Sequence, residues 1–147
     1  MRVTITNEGA VELSRRLQGV SGVVKNLRPS FEKTGDYFLQ RIDDNFESRG
    51  ALFGKPWKRR AKSYPHPILE KTGKMRDSFV KKATRRALVI ENLKEDEYFK
   101  FHQSRKPRTT ALPRRVMMYL DEPMRRKVFA NIQAEIYSKF YRRGFKR

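Results

Sequence analysis

The hydrophobic positions in the first third of the chain follow one strand-like pattern and two helical patterns. Residues 3–5 alternate between apolar and polar side chains, which predicts a short strand. Apolar residues recur at helical spacing over residues 10–24, so a first helix is predicted there. A second helix is predicted with Pro29 in its first turn and an end near Ser48, before Gly50. Its amphipathic stripe consists of Phe31, Phe38, Leu39, Ile42 and Phe46.

The middle of the chain has the shorter alternating patterns of a small sheet. Residues 78–83 alternate weakly, residues 87–91 form a denser apolar run, and Arg85 and Arg86 lie between them, so a β-hairpin is predicted. Residues 95–102 suit one helical turn, and the apolar residues 116–120 suit a further strand.

The last helix is predicted to begin after Asp121 or Glu122, with Pro123 in its first turn. Its apolar residues recur at steps of four, and we interpret them as a core face; a partner-binding stripe is the alternative. These residues are Met124, Val128, Ile132, Ile136 and Phe140. The order of elements predicts an α+β fold, a small antiparallel sheet with helices packed on one face, in a single domain over residues 1–147.

Two long loops and the tail at about 141–147 are basic. The first loop, at about residues 49–67, has no acidic residue, and loops of this length are usually functional. The second loop runs from residue 104 to 115 and also has no acidic residue. We expect both loops to contact a partner or nucleic acid through Lys55, Lys58, Arg59, Arg60, Lys62, Arg105, Lys106, Arg108, Arg114 and Arg115.

The only tryptophan, Trp57, lies in the first basic loop. We interpret it as a core anchor that pins this loop to the sheet, with its indole N–H hydrogen-bonded at the rim. Stacking on a base or an arginine, together with Phe53 and Tyr64, is the alternative.

The charge balance favours an acidic partner. The chain has 35 Lys and Arg against 16 Asp and Glu, a net charge of +19. Such an excess favours binding to nucleic acid or to an acidic protein surface over simple solubility. The apolar runs are too short to span a membrane, the N-terminus has no signal-peptide core, and there are no cysteines. We therefore expect a protein that is used without export and does not bind membranes.

Candidate catalytic residues are sparse. Neither His66 nor His102 has a partner at the spacing of a metal site or of a nucleophile and its base. The acidic residues 95–97 are consecutive, so a helix would point them in different directions. We predict no catalytic residue, no metal site and no cofactor. A small RNA-cleaving toxin with His102 as its general base is the least favoured alternative.

Five separate segments, taken in order, resemble the bacteriophage virion morphogenesis family, the tail completion proteins of tailed phages. They are Phe46 at a helix end, a Gly-x-x-Trp loop, the segment ILEKTGKMRDSF at 68–79, a Tyr…His-Gln motif, and a Leu-Pro-Arg turn before an apolar strand. The motif residues to which the resemblance gives a structural role are Gly54, Trp57, Leu69, Thr72, Gly73, Ser78, Tyr98, His102, Gln103 and Pro113. The sequence departs from the family pattern at Met75, where leucine is usual, and after Gln103, where an aromatic residue and a glycine are common.

The resemblance implies a structural, non-enzymatic protein of the virion neck that assembles in the host cytoplasm. It implies a homo-oligomeric ring, expected to be a hexamer, between the head connector on the portal side and the tail tube or tail terminator. Contact with packaged DNA is a further expectation, and tail termination is a related role. The main alternative from the charge is a sequence-independent nucleic-acid-binding protein that uses the same two loops on phosphates.

Overall fold

The computed structural model describes residues 3–6, 25–93, 99–103 and 113–142. The strands are β1 (Val3–Thr6), β2 (Phe79–Ala83) and β3 (Ala87–Asn92); the helices are α1 (Arg28–Glu47), α2 (Lys100–Gln103) and α3 (Glu122–Arg142), and a 3-10 turn spans Ala51–Phe53. The predicted α+β class is confirmed. The helix predicted over 10–24 lies outside the described residues, as do residues 94–98, 104–112 and 143–147.

The three strands form an antiparallel sheet in the order β1-β3-β2. Residue Val3 lies opposite Ile90, and Phe79 lies opposite Asn92. The predicted hairpin of β2 and β3 is confirmed, and Thr84 stabilises its turn. The Thr84 hydroxyl oxygen accepts hydrogen bonds from the backbone N–H groups of Arg86 (3.3 Å) and Ala87 (3.0 Å). A threonine hydroxyl thus does here what an Asn-Gly turn does in many hairpins.

Helix α1 lies between the sheet and α3, because it packs against β2 and β3 as well as α3. Its predicted start at Pro29 and its end before Gly50 are confirmed. The apolar stripe of α1 is buried against the sheet and α3. Polar side chains also join α1 to α3. The Ser30 hydroxyl of α1 donates to the Asn131 carbonyl of α3 (3.0 Å), and the Asn131 amide donates to Thr34 Oγ1 (2.9 Å).

Helix α3 begins as predicted, with Asp121 as its N-cap. The Asp121 carboxylate accepts a hydrogen bond from the Met124 backbone N–H at 3.0 Å and also pairs with Arg41 of α1. Four of the residues at steps of four are buried, which confirms the core interpretation: Met124, Val128, Ile132 and Ile136. Phe129 and Tyr137 of α3 are exposed.

The strand predicted at 116–120 is wrong, because no strand is present at these residues. Side chains, not a neighbouring strand, satisfy much of the backbone there. The amides of Asn45 and Gln103 and the indole of Trp57 hydrogen-bond to backbone groups of residues 116–118. We call residues 115–118 the junction segment. An apolar run predicts burial here, but the partners of its backbone polar groups decide whether it is a strand.

Candidate functional site

Trp57 fixes the base of the first basic loop. Its ring is 6% exposed and meets Phe46 edge-on, with ring centroids 5.2 Å apart. Its indole N–H donates to the Val116 carbonyl at 2.9 Å, and its backbone N–H donates to Arg49 at 2.7 Å. The interpretation of Trp57 as a core anchor is confirmed. It packs against the end of α1 and the junction segment, whereas the sequence predicted an attachment to the sheet.

Gln103 holds the junction segment from the other side. Its side-chain oxygen accepts hydrogen bonds from the backbone N–H groups of Met117 (2.8 Å) and Met118 (3.3 Å), and its amide donates to the Met118 carbonyl. Because Gln103 is buried, these bonds are made away from water. The glutamine therefore replaces part of the ladder that a strand partner would provide.

A groove of about 680 Å³ opens beside the junction segment. Among the described residues that line it there is no aspartate or glutamate, and the polar ones are mostly basic. We define the cationic groove by the side chains of Lys58, Arg59, Arg60, Lys62, Tyr64, His102 and Arg115. Ala61, Ile68, Leu69 and Pro113 complete its lining. An open groove with this lining is suited to bind an extended anion.

Arg115 does not project toward a partner as the sequence predicted. It is only 5% exposed, and its guanidinium donates to the Lys58 carbonyl at 3.1 Å. One terminal nitrogen also lies 3.5 Å from His102 Nδ1, and the Arg115 backbone N–H donates to the His102 carbonyl at 2.8 Å. Burial, and to a lesser degree the charge of Arg60, lowers the pKa of Arg115. The Lys58 carbonyl and the His102 ring, which belong to two distant segments, thus hold the guanidinium inside the protein.

The surroundings of His102 favour the neutral form of its ring. Burial lowers its pKa most, the charge of Arg115 lowers it further, and a hydrogen bond to the Pro113 backbone partly offsets both. With Nδ1 facing the Arg115 donor, the neutral ring accepts there and donates from Nε2. His102 thus helps to position Arg115, and the contacts of its ring named here include no carboxylate.

Arg60 is also used inside the protein. It donates hydrogen bonds to the His66 carbonyl and to His66 Nδ1, the second at 3.2 Å. Its guanidinium lies 4.9 Å from the centroid of the Tyr64 ring, and the Tyr64 and His66 rings are 5.7 Å apart. Arg60 therefore ties together residues 60–66 of the first loop, and Tyr64 remains 52% exposed at the groove.

The remaining predicted interface residues divide into two sets. The exposed set does project from the surface, and Arg114 in it donates to the Gln103 carbonyl at 3.3 Å. This set is Lys55, Lys58, Arg59, Lys62 and Arg114. Within it, the structure brings Lys58, Arg59 and Lys62 together at the groove. Arg105, Lys106, Arg108 and the motif residue Tyr98 lie outside the described residues.

The glycine-containing motif segment forms a tight turn that leads into β2. Gly73 has φ +72°, its carbonyl accepts from the Asp77 N–H at 3.0 Å, and the Ser78 hydroxyl donates to the Lys74 carbonyl. Leu69 has φ +67° and lines the groove. Two other motif residues, Gly54 and Thr72, are exposed.

Arg76, within this turn, is a structural residue that the sequence did not indicate. It lies close to three carboxylates, those of Asp43 (2.9 Å), Glu47 (3.2 Å) and Glu70 (3.5 Å). Hydrogen bonding to Asp43 is the largest influence and raises the pKa of Arg76 further above its ordinary value. The arginine joins the last turns of α1 to the segment before β2, a link that no local pattern predicts.

Comparisons with family models, curated proteins and solved structures found no match to this chain. Among the described residues there is no cluster of histidine or acidic side chains that could hold a metal ion. No helix in the described ranges is long and apolar enough to cross a membrane.

Proposed function

We propose that this protein is a structural, non-enzymatic subunit of a phage neck, which joins head and tail as part of a ring. One observation carries the proposal: motif segments that are far apart in sequence meet at the junction segment. Trp57, Gln103 and Phe46 belong to three of these segments, and Trp57 contacts both Phe46 and the junction that Gln103 holds. Three of the five segments of the resemblance thus meet in one packed cluster, which supports a shared structural role for them.

In this role the cationic groove docks against an acidic surface of a neighbouring neck protein. Three exposed side chains, Lys58, Arg59 and Lys62, provide charge that a partner can reach without unfolding the loop. Charge complementarity of this kind raises the rate and fixes the orientation of docking more than it adds affinity. A closed ring also needs two different matching faces on each subunit. The groove therefore accounts for the contact with a neighbouring neck protein and not for the contacts between subunits of the ring.

The test is complementation in an infected-cell extract. The extract comes from a phage with a stop codon in this gene, and purified protein is added before infectious particles are counted. Wild-type protein should restore infectivity. The triple variant Lys58→Gln, Arg59→Gln, Lys62→Gln should restore it more slowly at low salt. The deficit should narrow as salt rises, because salt screens the attraction that only the wild-type charges provide.

A matched control removes the same charge elsewhere. Lys25, Lys33 and Arg125 are exposed and are not among the residues that line the groove. Their triple glutamine variant should behave as wild type. No restoration by wild-type protein would defeat the assembly role, and equal deficits in the two triple variants would defeat the groove as the docking surface.

A further inference from the structure

The cationic groove contains a buried charge that nothing in the described part of the chain neutralises. Arg115 is almost fully buried, yet it forms no ion pair with a described carboxylate, and the charged group that influences its pKa is another arginine, Arg60. Buried charges are normally paired, because removing an ion from water is costly. An uncompensated guanidinium at the groove is therefore the feature of a site that an anion completes.

The hydrogen bonds of Arg115 leave some of its N–H donors unused. The guanidinium donates to Lys58 O and lies near His102 Nδ1, while its Nε has no hydrogen-bond partner. An arginine side chain has more N–H donors than these contacts use. His102 cannot supply the missing negative charge, since its ring is neutral or positive. The ammonium of Lys58, on the residue that Arg115 already contacts, is exposed at the same groove.

An exposed aromatic ring lies among these cations. Tyr64 lines the groove with half of its surface exposed, and Arg60, which contacts it, is itself fixed by His66. The ring is therefore held in place before any ligand arrives. Aromatic side chains within a basic groove are how proteins bind single-stranded nucleic acid without reading its sequence, because bases stack on the rings while cations contact the phosphates.

We propose that the groove binds a single strand of nucleic acid, with a backbone phosphate at Arg115 and Lys58 and a base stacked on Tyr64. An acidic protein segment could match the charges, but its carboxylates would leave the exposed Tyr64 ring without a partner of its own. A strand supplies repeated charge and flat bases together. This binding activity goes beyond the assembly role and does not depend on it. Both use Lys58 at the same groove, so a bound strand and an acidic neck protein would compete for it.

The first test measures the anisotropy of a labelled oligothymidine of roughly ten nucleotides as purified protein is added. Binding should weaken steeply with salt, with log K falling by about 0.7 per phosphate contact for each unit of log salt. Poly-glutamate and inorganic phosphate serve as competitors. Both should displace the oligonucleotide only at much higher concentrations of negative charge. Displacement by poly-glutamate at equal charge would overturn the proposal in favour of an acidic protein, and displacement by phosphate at equal charge would reduce the site to one for free phosphate.

Two pairs of variants locate the site. Tyr64→Leu should weaken binding roughly tenfold by removing the stacked ring, while Tyr119→Leu, an exposed tyrosine outside the groove lining, should leave binding unchanged. Arg115→Gln should weaken binding more than Arg59→Gln, although each removes one charge from the same groove.

Folding of each variant is checked by circular dichroism. If Arg115→Gln fails to fold, the tyrosine pair still decides, because both tyrosines are exposed. Equal effects of the two tyrosine variants would overturn the stacking site. Equal effects of the two folded arginine variants would mean diffuse attraction by net charge, and would overturn the phosphate site at Arg115. These assays use the isolated protein, so their failure leaves the assembly role in place.

Discussion

Replacement of Gly50 by alanine should unfold the base of the first basic loop. Gly50 has φ +89°, a conformation that costs a residue with a Cβ about 1 kcal/mol. A Cβ added here would lie 2.2 Å from Cδ1 and 2.3 Å from Nε1 of Trp57. These are ring atoms of a buried side chain, so the indole must move.

The size of the effect follows from what the indole loses. Moving Trp57 breaks its hydrogen bond to the Val116 carbonyl, worth about 1 kcal/mol, and its edge contact with Phe46, worth about another 1 kcal/mol. With the backbone cost, Gly50→Ala should lower the free energy of unfolding by roughly 3 kcal/mol. After the indole has moved, the Val116 carbonyl still accepts a hydrogen bond from the Asn45 amide at 3.0 Å, which limits the loss of stability.

Gly73→Ala is the matched control. Gly73 has a similar φ of +72°, but a Cβ added there would not contact the Trp57 ring. A Cβ there would meet only the carboxylate end of exposed Asp77, at 3.1 Å. Its expected cost is the backbone term of about 1 kcal/mol. Urea titration followed by fluorescence measures both variants, and Trp57, the sole tryptophan, reports its own environment. Equal losses with unchanged native emission would refute the contact between Gly50 and Trp57.

Three further predictions test the core, the junction segment and the buried histidine. Ile132→Ala should lower the free energy of unfolding by about 2–5 kcal/mol. The control Phe129→Ala, at an exposed position of α3, should have little effect in the same urea titration. Similar losses of stability in the two variants would contradict the burial pattern. Gln103→Leu should lower the free energy of unfolding by about 3 kcal/mol, because it leaves backbone groups of Met117 and Met118 without their partner. The control Gln40→Leu removes one exposed contact with Asp44 and should be nearly neutral. A neutral effect of Gln103→Leu would contradict the role of Gln103 in holding the junction segment. His102 has a pKa lowered in the folded state, so the unfolded chain binds its proton first, and stability should be lost as the pH falls below about 6.5 toward that lower pKa. The His102→Gln variant should lose less stability over this range in thermal melts, and parallel pH profiles would exclude His102 as the cause.

Periodicity was enough to locate the two long helices and the hairpin. The stripes of α1 and α3 are strong because each helix buries one face, and Pro29 and Asp121 mark their starts. The same logic failed at residues 116–120. A hydrophobic run there indicates burial correctly, but the amides of Asn45 and Gln103 take the place of a strand partner, and that arrangement depends on tertiary structure.

The candidate site was only partly visible in the sequence. The count of basic residues indicated the loops, and Trp57 indicated an anchor, because these are local properties. The sequence did not indicate that Arg60 and Arg115 form hydrogen bonds within the protein. Each is held by backbone or side-chain acceptors, His66 for one and Lys58 with His102 for the other, and for Arg115 these acceptors lie far along the chain. The arginine with no carboxylate partner among the described residues therefore emerged only from the packed structure.

Electron microscopy of a lysate from a phage that lacks this gene tests the assembly role most directly. The proposed neck function predicts filled heads lying beside complete but unattached tails. Overlong or ragged tails would move the protein to tail termination. Normal virions in the mutant lysate would contradict a role in joining head to tail.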